Sequence, residues 1–184
     1  MSRIPHALAV ALLLVQPATA AGRHPDAPPE TDQFAFLIGA WDCTIRALQP
    51  DGTAGPPRKA TWVGRWELEG WAIRDDWTSE LPGGGVFRGF NIRSFNASTR
   101  KWDNRWLQTG SLEWKYFEAE KVGDTMVMTG GEGRDGFGDY VDRNTFFDIS
   151  PDGWSWRKDR SYDGGSTWIE GVARIRAVRA APES

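Results

Sequence analysis

Four cations stand in stretches otherwise rich in tryptophan and small apolar residues: Arg93, Arg143, Lys158 and Arg160. An arginine offers a rigid fork of N–H donors that matches a carboxylate or a phosphate, and a lysine offers a compact point charge. One carboxylate, Asp75, shares such surroundings in GRWELEGWAIRDDW. Unpaired buried charge costs several kcal/mol, so four cations against one carboxylate do not make a dry core. They make sense around a water-filled cavity that receives an anionic group. The same set could instead do proton chemistry, with an arginine polarising a substrate carboxylate while Asp75 or Tyr162 moves the proton. No nucleophile–base pair accompanies them, so no catalytic residue is assigned.

Both histidines, His6 and His24, precede the first strand-like run. The expected domain therefore has none. That removes Ser-His-Asp and Cys-His catalysis, ordinary zinc sites and His-ligated haem. Neither a metal nor a cofactor is expected.

The elements that must hold these residues read as strands. From WDCTIRAL to TWIEGVARIRAV, runs rich in Trp, Val, Ile, Thr and Phe alternate with turn signals, about ten in all. The connections are short and carry Asp-Gly and Gly-Gly pairs, which supply the positive φ of tight hairpins. No helical pattern intervenes, so parallel βαβ topology is excluded. FAFLIG, from Phe34, reads as a short helical turn closing one end. The fold expected is all-β: a single antiparallel up-and-down barrel, since closure removes the edges of a long sheet. The Gly-rich stretch Gly130 to Asp142 reads as a long mobile loop.

Tight turns fix register, and register sorts inside from outside. With Glu69-Gly70 as the turn, Leu68 faces Trp71, Trp66 faces Ile73, Gly64 faces Asp75 and Trp62 faces Trp77, all on the inner face. Arg65, Glu67, Arg74 and Asp76 then form a solvated outer face. The loop from Asn96 to Lys101 sets Phe95 opposite Trp102, Arg93 opposite Asn104 and Asn91 opposite Trp106. The turn Asp163 to Ser166 sends Trp154, Trp156, Lys158, Arg160 and Tyr162 inward. It sends Arg157 and Asp159 outward, with Asp159 beside Glu170. The turn Ser150 to Gly153 sets Ile149 opposite Trp154, which sends Arg143 inward beside Arg160. The candidate ligand-binding set is therefore Trp66, Asp75, Trp77, Asn91, Arg93, Asn104, Trp106, Arg143, Trp156, Lys158, Arg160 and Tyr162.

Residues 1–20 read as a secretory signal peptide: a basic start, an apolar run from Ala7 to Val15, then Ala18-Thr19-Ala20. The apolar run is shorter than the about 20 residues of a membrane-spanning helix. Residues 21–33 read as a flexible Pro-rich linker and residues 34–180 as the barrel domain. The expected location is secreted or periplasmic. The formal net charge of -3 argues against a nucleic-acid partner. Cys43 is the sole cysteine and alternates with Trp41 and Ile45, which marks it as a buried small hydrophobe.

Gly39-Ala40-Trp41 looks like the Gly-x-Trp of lipocalins and related calycin barrels. The resemblance implies a Trp that seals the closed end, with an arginine of the last strand packed on it: Arg174, Arg176 or Arg179. The mature chain also resembles a bacterial lipocalin-like family of unknown function, through FAFLIGAW, GRWELEGWAIRDDW, NIRSFNASTRKWDNRW, RNTFFDIS and SYDGGSTW. That resemblance implies a small barrel, akin also to fatty-acid-binding proteins, and brings no settled activity. A likeness to haem barrels that handle nitric oxide meets the missing late-strand histidine. The expected function is a secreted binding protein whose lumen holds a small, partly apolar, anionic ligand. The alternative is a barrel enzyme of isomerase, cyclase or decarboxylase type acting on a small carboxylate substrate. A third reading uses surface Trp114 and Trp168 as a glycan platform.

Overall fold

The computed structural model describes residues 22–181. The expected signal peptide lies outside the described residues. Ten strands form one closed antiparallel barrel: β1 (Gly39–Ala47), β2 (Arg58–Glu67), β3 (Ala72–Glu80), β4 (Val86–Asn96), β5 (Lys101–Gln108), β6 (Ser111–Val122), β7 (Thr125–Asp135), β8 (Gly138–Ser150), β9 (Gly153–Ser161) and β10 (Ile169–Arg179). Each strand pairs with its neighbour in sequence, and β1 pairs with β10 to close the sheet. No helix among the described residues is long and apolar enough to cross a membrane.

A 3-10 helix, Pro29–Leu37, plugs one end. In a 3-10 helix, residues three apart lie one above the other. Thr31, Phe34 and Leu37 have that spacing and are the buried residues of the helix. The expected turn therefore begins earlier, at Pro29, and part of the expected linker belongs to the plug. More of it packs at the same end. The His24 backbone N–H donates to the Gly70 carbonyl at 3.2 Å, and its ring stacks on Trp71 at 5.1 Å. The backbone of Leu37 enters the barrel so closely that a Cβ on Gly64 would stand 2.1 Å from the Leu37 carbonyl oxygen. Only glycine fits there.

Trp41 donates its indole N–H to that same Leu37 carbonyl at 3.0 Å. Arg179 lies over the Trp41 ring at 4.1 Å and donates to the Pro151 carbonyl at 2.8 Å. Of the three arginines considered for this seal, the structure selects Arg179. Above the plug, Trp41, Trp62, Phe146 and Trp154 meet edge to face and make an aromatic floor. Edge-to-face contacts satisfy the ring quadrupoles.

The registers of β2–β3 and β4–β5 match the sequence reading along the strands; only at the β2–β3 turn do Leu68 and Trp71, expected inside, lie exposed. β8 does not. Asp148 adopts φ 51, and an extra residue is inserted between Phe147 and Ser150. One extra residue reverses every side chain upstream. Arg143 therefore points outward, together with Thr145 and Phe147. Asp142, Asn144 and Phe146 point inward and are buried. β10 carries an irregularity at Gly171 that displaces its register against β9 by an even number of residues, so the inner face is kept. The Gly-rich stretch from Gly130 is no loop. It is the end of β7 and the start of β8, joined at Gly136-Phe137, with glycines at the bulge.

Cys43 faces the interior, and burial pushes its thiol up to about 12. The group stays protonated, and therefore unreactive, across the neutral range. The folded protein is expected to leave Ellman's reagent unreacted at pH 8 and to titrate one thiol once unfolded in guanidinium. Rapid labelling of the folded protein would contradict the burial of this residue.

Candidate ligand-binding site

Above the aromatic floor lies a cavity of about 130 Å³. Its walls are Trp62, Trp77, Trp106 and Trp156, with Phe117 and Met128 between them. The polar lining comes from Asn91, Arg93, Gln108, Asn144 and Lys158. The inner faces of β8 and β9 explain the layering. Phe146 pairs with Trp156, Asn144 with Lys158 and Asp142 with Arg160. An apolar floor, a polar middle of Asn144 and Lys158, and a rim of paired charges follow one another along the barrel axis.

At depth, Arg93 and Asp75 form an ion pair away from solvent. Arg93 Nε stands 2.6 Å from Asp75 Oδ2, with side-chain exposures of 1% and 0%. Asn91 donates to Asp75 Oδ1 at 2.9 Å. Arg93 Nη1 donates to Asn104 Oδ1 at 2.9 Å, and the guanidinium lies over the Phe34 ring at 4.8 Å. Every arm of Arg93 has a partner. Asp75 is consumed by this pair and is absent from the cavity lining.

At the rim, Arg160 grips Asp142 through Nε at 2.8 Å and Nη2 at 3.0 Å. Its Nη1 donates to Asp135 at 2.8 Å, and its guanidinium lies 3.5 Å from the Tyr140 ring centroid. Tyr162 donates its hydroxyl to Asp135 at 2.9 Å. The Phe137 backbone N–H, then Tyr162 and Arg160, hold the Asp135 carboxyl below the usual carboxylate range. Lys158 lies 3.5 Å from Asp142, a carboxylate that Arg160 already engages with both arms.

Two groups are left over in the middle layer. Asn144 is 4% exposed, lines the cavity, and its side-chain oxygen has no hydrogen-bond partner. The Lys158 ammonium has only its long contact to Asp142 and a place 5.9 Å from the Trp156 ring. A buried acceptor without a partner costs about 1–3 kcal/mol. An unpartnered buried polar atom is rare in a folded protein and calls for an explanation.

The structure brings Trp77, Asn91, Arg93, Trp106, Trp156 and Lys158 together around the cavity. Asp75 and Asn104 stand behind them as partners of Arg93. Trp66 packs against the core without lining the cavity. Arg160 and Tyr162 sit at the rim. Arg143 is corrected: it lies on the outer wall, 3.0 Å from Asp159 and 4.3 Å over the Trp168 ring. Asp159, expected in a solvated mosaic, is fully buried beneath Arg143 and Arg157. The expected cationic excess is corrected with it. Arg93 and Arg160 each have an inward carboxylate, and Lys158 has a 3.5 Å contact to the Asp142 that Arg160 holds, because β8 turns Asp142 in and Arg143 out.

Asn144 and Asp142 escaped the sequence reading. The one signal for them was Asp148, since Asp tolerates the left-handed conformation that seats a bulge.

No family model and no curated protein matches the sequence. Among solved structures, the S-type phycobiliprotein lyase CPES from Guillardia theta matches with a TM-score of 0.56 at 10% sequence identity, over 83% of this chain and 93% of that one. The match establishes a lipocalin-like barrel fold. The match supports the barrel fold and not membership of the expected bacterial family, for which there is no sequence evidence.

Proposed function

We propose that the protein is a small-molecule-binding barrel that holds a compact, partly apolar molecule in its lumen. The carrying observation is the Trp-walled cavity with the unpartnered Asn144 oxygen in its middle layer. A cavity of about 130 Å³ resembles the roughly 150 Å³ that hold a benzene ring in an engineered protein core. The ligand is thus ring-sized where it is enclosed. Its polar end needs an acceptor for Lys158 and a donor for Asn144. The lumen's other charges are paired with one another, so the reason for a full negative charge narrows to Lys158. A carboxylate or a carbonyl oxygen accepts from Lys158, and an N–H or O–H beside it, as in a primary amide, donates to Asn144 Oδ1. The solved neighbour, a phycobiliprotein lyase by name, supports binding of a small molecule by such a barrel.

Tryptophan fluorescence titration with benzoate, benzamide and toluene tests this reading. Benzoate and benzamide are expected to bind more tightly than toluene. Lys158→Met is expected to weaken benzoate by roughly tenfold or more, the loss of a charge-assisted hydrogen bond, while leaving toluene nearly unchanged. Equal losses for all probes, or no fluorescence response to any, would count against a polar middle layer facing an enclosed ring.

The proposal includes export. A chain beginning at Ala21 or Gly22, found by N-terminal sequencing of protein isolated from its host, supports it; an intact Met1 contradicts it.

A further inference from the structure

The outer wall carries charges that the lumen does not explain. Arg46 on β1, Arg174 on β10 and Arg157 on β9 are direct cross-strand partners in one row. Neighbouring strands lie about 4.8 Å apart, and like charges directly opposite one another destabilise a sheet. Arg157 is compensated, with Asp159 at 2.9 Å and Glu170 at 3.5 Å. Asp159 has no capacity for the rest of the row. It also takes Arg143 at 3.0 Å and the Gly171 backbone N–H at 2.9 Å.

Arg46 donates only to a backbone carbonyl, that of Gly55, at 3.0 Å. Arg176 follows Arg174 on the same face, opposite Thr44 on one side and Ser155 on the other. Among the described residues, no carboxylate pairs with Arg46, Arg174 or Arg176. These three arginines border a groove of about 200 Å³, together with Thr44, Ser155 and Phe147. Gly171 helps to seat one of them: a Cβ there would lie 2.5 Å from Arg174 Nη2. In a chain whose formal net charge is -3, such a concentration of unpaired guanidinium is local.

We propose that this groove binds the phosphate group of a small soluble molecule. Guanidinium forks match the tetrahedral oxygens of phosphate bidentately, and a hydroxyl on either side of Arg176 adds further donors. A bound dianion removes the like-charge repulsion along the row. The site is separate from the lumen. It lies on the opposite face of β9 and β10, although Trp156 and Ile175 border both spaces.

Isothermal titration calorimetry with inorganic phosphate tests the proposal, with ionic strength held constant by sodium chloride. The expected result is saturable binding at one site. Arg174→Ala or Arg176→Ala is expected to weaken it by roughly tenfold or more. Arg134→Ala, at an exposed arginine on the β7–β8 hairpin, is expected to leave it unchanged. Urea unfolding should show each groove variant folded and no less stable than the parent. No heat beyond that of chloride overturns the proposal, as does equal weakening by Arg134→Ala. Co-sedimentation with vesicles containing phosphatidic acid, without binding of inorganic phosphate, also overturns it and assigns the groove to a membrane surface.

Discussion

Replacing Asp75 with alanine is expected to lower the unfolding free energy by about 3–5 kcal/mol, the cost of leaving a buried charge without its partner. Arg93 is 1% exposed and cannot turn to solvent. Its remaining contacts are the neutral oxygen of Asn104, the Met128 sulfur at 3.2 Å and the faces of Phe34 and Phe146. None of these neutralises a cation. Domains of this size have about 5–15 kcal/mol in total, so the variant loses a large share of its stability. Equilibrium unfolding in urea, with the slope compared as well as the midpoint, measures it. The double variant Asp75→Leu with Arg93→Met is expected to recover most of the loss, because an apolar pair of similar volume spares the desolvation of both charges. An Asp75→Ala loss below about 1 kcal/mol would mean that water reaches Arg93.

Trp154→Ala is expected to cost about 3–5 kcal/mol, the range for deleting a buried aromatic side chain. Trp154 is fully buried and touches Trp41, Trp62 and Phe146 with centroids at 5.9, 5.1 and 5.4 Å. These rings are held from below by the plug and from the sides by the sheet, so they cannot collapse into the space. Trp154→Phe is expected to cost much less. It keeps an aromatic ring in place and removes an indole N–H that has no hydrogen-bond partner. Trp114→Ala provides the contrast: that residue is 51% exposed on the outer face. Its expected cost is within about 0.5–1 kcal/mol. Thermal or urea unfolding of the three variants checks the order. Trp154→Ala no worse than Trp114→Ala would contradict the aromatic floor.

The barrel was legible because its turns are short and most of its strands are regular. Once Glu69-Gly70 and the loop after Asn96 are placed, a period of two carries the register from Trp62 to Trp106 without error. The 3-10 turn at Leu68–Gly70 replaces the expected two-residue hairpin; it keeps the strand register, because Glu67 still pairs with Ala72, but it turns Leu68 and Trp71 out of the inner face, to exposures of 72% and 43%. The bulges were not legible. At Gly171 the displacement is even and the inner face survives it. At Asp148 it is odd, and Arg143 exchanges places with Asn144. Adjacent Phe146 and Phe147 left the apolar pattern of β8 ambiguous at that point.

That one residue also misdirected the electrostatics. With Arg143 inside and Asp142 outside, the lumen held too many cations and demanded an anion. With the faces exchanged, Asp142 answers Arg160, and Asp159 answers Arg143 from the outer wall. Asp75 and Arg93 were both placed inside by the sequence, but they are diagonal neighbours, Asp75 opposite Asn91 and Arg93 opposite Ile73. A reading that pairs only direct partners does not join them. What survives as a site is smaller and more neutral: the tryptophan walls, Asn144 and Lys158.

Native mass spectrometry of the protein isolated gently from its own host tests the lumen most directly. The expected result is a mass increment of one small molecule, released on denaturation and absent from Trp156→Ala, a variant that opens one wall of the cavity. A protein that always carries its bare chain mass, with Trp156→Ala indistinguishable from the parent in every probe titration, would contradict the ligand-holding role and leave the barrel as a scaffold.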